Sequence, residues 1–191
     1  MKKEKTLSTR GMVLCAMFTA LIAIGAFLKI QIVIISPVPF TLQFLFTNLA
    51  GLLLGRRRGL IAVGLYIILG LAGVPIFSTG GGIDYIIRPT FGYILGFALG
   101  AWLAGLISER GPNSMKTYLT AGFANFAAVF ALGLTYCYFI SNYYLATPIG
   151  VRKLILTGFL YFVPVDVVFV IIGAVLAKRL RPLTQKTLPS A

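Results

Sequence analysis

Residues 151–177 read VRKLILTGFLYFVPVDVVFVIIGAVLA, and the run finishes at Lys178-Arg179-Leu180-Arg181. Crossing the hydrocarbon of a bilayer takes about 20 apolar residues in a helix. This run supplies them, interrupted by Pro164 and by one acid, Asp166. An ionised side chain at such a depth costs at least about 2.5–3.5 kcal/mol on insertion scales. Asp166 stands roughly 12 residues before Lys178, which at about 1.5 Å per residue puts it some 18 Å from that end. Intramembrane acids of this kind are functional by default, with a helix-bundle partner or a backbone group freed by Pro164 as the alternative.

The rest of the chain agrees with a membrane reading. Of 191 residues, 59% are hydrophobic and 11% charged, against about 45–50% and about 25% in soluble domains; mean hydropathy is +0.96. Apolar stretches recur to the C-terminus, so a lone secretory signal does not explain them. The net charge of +13 sits in short basic runs between apolar segments, as in cytoplasmic loops, and not as the basic face of a nucleic-acid binder. Cys15 and Cys137 show no CxxC spacing, and there is no histidine, so neither a metal site nor the commonest general base is available.

Six spans follow, at about 12–35, 41–54, 59–77, 89–108, 115–145 and 151–177, all within one integral membrane domain covering 1–191. Ser36, Pro37 and Pro39 end the first; Arg56-Arg57-Arg58 stop the second, which is short enough to be tilted, shallow or re-entrant. Pro89 is suited to open the fourth helix, where its missing N–H is not needed. A polar tail with Thr184, Gln185 and Lys186 follows the sixth. With the N-terminus inside, thirteen basic residues face the cytoplasm, and four (Lys29, Arg88, Arg152 and Lys153) face out. The positive-inside rule therefore predicts both termini in the cytoplasm.

Candidate binding residues cluster towards the outer half. Glu4 and Glu109 lie in solvated segments, and Asp84 in the outer loop between helices three and four. Arg88 is the natural opposite charge to a ligand carboxylate, since its planar guanidinium suits bidentate geometry. Lys29, Arg152 and Lys153 compete for that role, and each also reads as an anchor snorkelling to headgroups. Gly80-Gly81-Gly82 allow close backbone approach, either as a lid or floor for a ligand or as a plain flexible loop. Gln43, Asn48 and Asn125 read as helix-to-helix bonds, with Gln43 near enough the outer side to reach a ligand. Tyr85, Tyr93 and Tyr136 lie in that half too, and Tyr143 and Tyr144 fit an aromatic belt. Ala16 and Ala20, four apart, share one face of helix one, as Gly92, Gly96 and Gly100 do on helix four. Small faces like these let helices approach closely.

Four motifs in order carry a family resemblance: Pro37-Val38-Pro39-Phe40-Thr41-Leu42-Gln43, Gly51-Leu52-Leu53-Leu54-Gly55, Gly70-Leu71-Ala72-Gly73-Val74-Pro75-Ile76-Phe77, and Pro89-Thr90-Phe91-Gly92-Tyr93-Ile94-Leu95-Gly96-Phe97. They resemble the BioY family of biotin-binding S-components of energy-coupling-factor (ECF) transporters. The resemblance implies an S-component fold of six helices in the bacterial plasma membrane, both ends inside, taking up a vitamin near the outer face. It implies docking on a transmembrane coupling protein through Ala16 and Ala20, with two cytoplasmic ATPase subunits as further partners. It further implies biotin contacts from the loop Gly80 to Arg88 (Gly81, Gly82, Asp84, Tyr85 and Arg88), from helix four with Tyr93, and from Asp166. Two positions depart from the pattern: Phe169 stands where many members carry lysine after Pro-x-Asp, and Phe91-Gly92 replaces a glycine pair.

The function expected is vitamin capture without chemistry. The chain binds no cofactor of its own. With no Gly-x-x-x-x-Gly-Lys-Ser/Thr phosphate loop in it, ATP is used by the partner subunits. The alternatives are a different vitamin, such as riboflavin, thiamine or a lipoate-like acid, and an intramembrane enzyme. The latter needs a nucleophile–base pair or metal ligands, which one deep acid and no histidine do not provide.

Overall fold

The computed structural model describes residues 8–30 and 39–187. Lys2, Lys3, Glu4, Lys5 and the stretch 31–38, which includes Ser36 and Pro37, lie outside them. Helix α1 (Thr9–Phe27) opens on Ser8, whose Oγ accepts from the Gly11 N–H at 3.2 Å. A short β1 (Lys29–Ile30) pairs antiparallel with β2 (Phe40–Thr41), Lys29 opposite Thr41. Helix α2 (Gln43–Leu71) follows, then a 3-10 turn at Ile83–Ile87, α3 (Phe91–Arg110) and α4 (Met115–Phe139). The chain closes with α5 (Val151–Ile155) and α6 (Val163–Thr187), and π-helical turns at Ile140–Tyr144 and Leu156–Leu160 flank α5.

Several boundaries differ from expectation. Helix one stops at Phe27, eight residues short of the predicted end at 35. Segments two and three are two arms of one bent helix, and the bend is at Gly55 (φ 83°), not in a loop of arginines. That conformation is nearly exclusive to glycine. Glu109 fills the space beside it: one carboxylate oxygen accepts from the Arg56 N–H at 2.9 Å and the other lies 3.4 Å from Arg56 Nε. The carboxylate thus caps the second arm where its first amide has no intrahelical partner. That arm ends at Leu71, not Phe77, because Gly73 turns at φ 104° and Phe77 and Gly80 exchange hydrogen bonds across a tight turn.

The sixth segment is broken by a π turn before Pro164. That proline sits in the first turn of α6, where a missing N–H is harmless. The expected polar tail is instead helical as far as Thr187. Arg181 is buried, its guanidinium 5.7 Å from the centre of the Tyr118 ring, and Thr184 Oγ1 reaches Leu53 O just before the bend.

Glycine sets how closely the helices pack. Gly96 leaves room for the α4 main chain: a Cβ there would lie 2.7 Å from Val129 Cα, and one at Gly100 would overlap the Asn125 amide. At the same level Asn125 Nδ2 donates to Asn48 Oδ1 at 3.2 Å, joining α4 to α2 in the dry interior. The interior divides in two. Towards the arginine-rich end it is built of small and aliphatic residues such as Cys15, Ala50, Leu52, Ala62, Ala104, Ala121 and Ala174. The other half is aromatic. Outside, large apolar side chains such as Val13, Ile68, Leu99, Val168 and Leu183 are exposed. Water would not tolerate a surface of this kind, and lipid satisfies it. Among the described residues four helical stretches are long and apolar enough to cross a membrane: Thr9–Phe27, Phe91–Arg110, Met115–Tyr144 and Val151–Thr184.

Candidate binding site

The aromatic half encloses a cavity of about 710 Å³, bounded by the end of α1, the β1–β2 pair, the start of α2, and α3, α4 and α6. Its size falls within the usual range of about 300–1,000 Å³ for small-molecule sites. Phe40, Phe97, Phe130, Phe162 and Phe169 supply much of the wall. The rings brace one another: Phe40 stacks on Phe162 with centroids 4.2 Å apart, and Tyr93 meets Phe130 edge-on at 6.0 Å.

Among the described residues Asp166 is the one acid of the lining, and it is only 7% exposed. It projects from the first turn of α6, on the same face as Phe162 and Phe169 at the i, i+4, i+7 spacing of a helix. No side chain or backbone donor reaches its carboxylate among the described residues, although its own backbone N–H is bonded to Phe162 O. Buried polar groups nearly always have a hydrogen-bond partner, in the protein or in ordered water. The Asp166 carboxylate therefore keeps its acceptor capacity for whatever occupies the cavity, water or ligand.

The other candidates take different positions. Gln43, Tyr85 and Tyr93 line the cavity. Gln43 Nε2 donates to the Tyr66 hydroxyl at 2.7 Å, which donates on to Ile76 O at 3.1 Å, so part of the amide is engaged in the scaffold. The Tyr93 hydroxyl donates to Gly158 O at 2.9 Å and ties α3 to the π turn before α6. Tyr85 is buried, with Ser78 and Thr79 hydroxyls each 3.2 Å from its own. Gly81, Gly82, Asp84 and Arg88 are not lining residues. Gly82 N–H ties the loop to Gly70 O at 2.7 Å, while Asp84 is exposed. Arg88 donates to Thr79 Oγ1 at 3.0 Å and lies 5.2 Å from the Tyr85 ring centre, on the exposed side of the loop. Of the four cations expected on the outer side, the one in the lining is Lys29. Phe169 fills part of the wall where the resemblance would place a lysine.

The sequence carries no signal for Phe40, Ser78 or Thr90 as lining residues. Phe40 arrives through the β1–β2 pairing, Ser78 through the turn after Phe77 and Thr90 as the residue before α3, none of which has a periodicity of its own. Phe162 and Phe169 were accessible from their helical spacing to Asp166. Ala16 and Ala20 are exposed, beside exposed Met12, Val13 and Met17, while Cys15, Phe18, Thr19 and Ile22 bury the opposite face of α1. Among the described residues there is no group of three or more His, Cys, Asp or Glu that could hold a metal ion.

Comparison with known proteins places these features. The biotin S-component of an ECF-type ABC transporter, known from a crystal structure, superposes with a TM-score of 0.69 at 27% identity, covering 95% of each chain. The biotin transporter BioY of Thermotoga maritima is 38% identical over 175 residues, 91% of this chain and 97% of its own. The probable biotin transporter BioY of Lysinibacillus sphaericus is 40% identical over 177 residues, 92% and 89% of the two chains. The profile of the BioY family matches residues 1–186. The match takes in the bend at Gly55, the aromatic cavity and the acid at its wall together, and the chain belongs to the BioY family.

Proposed function

We propose that this protein is the substrate-capture subunit of an ECF transporter and that its ligand is biotin. The observation that carries the proposal is the buried Asp166 carboxylate, which faces an aromatic cavity with no donor of its own among the described residues. Biotin offers what that arrangement lacks. Its ureido N–H groups donate to a carboxylate, and a charge-assisted bond of this type is worth about 1.5–3 kcal/mol. Its fused rings are apolar enough to lie against Phe97, Phe130, Phe162 and Phe169. Tyr85, Tyr93 and Gln43 shape the polar margin. Gly81, Gly82, Asp84 and Arg88 act through the loop that carries Tyr85, which Arg88 braces through Thr79.

In the membrane the chain makes six crossings, counting the two arms of α2 separately, with both termini in the cytoplasm of a bacterial cell. Basic residues gathered at the bend and at the end of α6 support that orientation. The exposed small face at Ala16 and Ala20 receives a transmembrane coupling protein, to which two ATPase subunits supply ATP-driven motion. The chain itself binds no cofactor.

Native mass spectrometry of the purified protein tests the ligand directly. A bound mass equal to biotin, exchangeable with added labelled biotin, is expected. Retention of riboflavin, thiamine or lipoate in preference to biotin would overturn the assignment while leaving the capture role in place.

A further inference from the structure

We infer that Lys29 is the residue that reads the ligand's free carboxylate, which makes the site selective for an anionic tail over an amide or ester. The inference rests on the biotin reading and assigns one end of that ligand. Among the described residues the lining holds a single acid and a single cation, Asp166 and Lys29. The segment 31–38, QIVIISPV, contains no charged residue.

Lys29 is also held in place. Its backbone pairs with Thr41 across the β1–β2 ladder, and its ammonium donates to the Ser78 carbonyl on the facing loop. An ammonium has three donor hydrogens. One bond to a neutral carbonyl fixes the group at the mouth and leaves the charge uncompensated by any acid among the described residues. The next residue pair of the same ladder contains Phe40, which stacks on Phe162, one helical turn from Asp166. The ladder that carries the cation is therefore joined, through Phe40 and Phe162, to the segment that leads into the acid. This geometry suits a molecule with N–H donors at one end, an apolar body and a carboxylate at the other. Arg88 is less well placed: it bonds Thr79, covers the Tyr85 ring and is outside the lining. An exposed cation is screened by water, so the effect belongs at the lower end for charged hydrogen bonds, about tenfold in affinity.

Equilibrium binding of biotin and of biotin amide to the detergent-solubilised full chain tests this. The two probes share the ring system and differ in tail charge. The wild type is expected to prefer biotin by about tenfold. Lys29→Gln, which keeps an N–H for Ser78, and Lys29→Met should both weaken biotin to the level of the amide while leaving amide affinity unchanged. Unchanged amide binding also reports an intact fold. Lys29→Arg should restore most of the preference, and Arg88→Met should keep the ratio. A wild type that binds both probes equally, or a preference that survives Lys29→Gln or disappears in Arg88→Met, overturns the assignment of Lys29 alone. A wild type that binds neither probe overturns it together with the biotin reading.

Discussion

Replacing Asp166 by Asn should weaken ligand binding and stabilise the empty protein. Asp166 as a residue is 7% exposed, and its carboxylate has no donor among the described residues. An acid in the hydrocarbon region costs about 2.5–3.5 kcal/mol. Its place in the first turn of α6 returns about 0.3–1 kcal/mol through the helix dipole. The cost prevails, so the charge destabilises the empty protein by about 2 kcal/mol. Asparagine keeps the shape and removes the charge. For a chain of this length 1 kcal/mol moves Tm by about 2–4 °C, so the ligand-free variant should melt about 4–8 °C higher. With biotin the order reverses. Losing a charge-assisted bond of about 1.5–3 kcal/mol lowers affinity roughly 10- to 150-fold. Thermal unfolding in detergent with and without saturating biotin reads both effects in one experiment. A variant that melts lower when empty and binds biotin undiminished would refute the reasoning, since the acid would then be a structural partner.

Other substitutions probe the scaffold. Gly96→Ala should cost about 1–3 kcal/mol, because the new methyl meets the Val129 main chain, which cannot rotate away. Gly64→Ala, with nothing within 4 Å of the new Cβ, should be neutral or stabilising by up to about 1 kcal/mol, and the melting temperatures of the two variants check the contrast. At the bend, Glu109→Gln should cost less than about 1 kcal/mol, as it removes only a half-exposed ion pair. Glu109→Ala should cost about 1 kcal/mol more by leaving the Arg56 N–H without its cap, and urea titration distinguishes them. Ala20→Trp should leave biotin binding unchanged and prevent co-purification with the coupling protein; normal co-purification would remove that face from the docking surface.

What was legible in the sequence had an energetic signature of its own. Asp166 stands out because an acid in hydrocarbon is costly wherever it points. The spacing of Gly92, Gly96 and Gly100 announces close helix contact, and Gly96 and Gly100 lie against α4 main chain or side chain. The bend was misplaced because an arginine run is a louder signal than one glycine, and the Glu109 cap comes from another helix. The π turns around α5 carry no compositional mark, so the sequence marks an interruption of the sixth segment at Pro164 and not at Leu156–Leu160, where the turn lies. Lys29 was one of four equivalent outer cations until the ladder partnered it with Thr41, twelve positions on, and only that pairing sets it at a cavity mouth.

The seam between α3 and α4 also bears on how the site can change over evolutionary time. Where two helices touch through their main chains, neither can retreat to make room for a larger side chain. Tyr93, Phe97, Val129 and Phe130 stand on that unyielding wall. Any enlargement there is subtracted directly from the space left for a ligand, and any reduction is added to it. The opposite wall, built from strands, loops and the broken sixth segment, has softer joints to absorb such changes. Variation in ligand preference among relatives should therefore track residue size on the α3–α4 side and follow it less closely elsewhere.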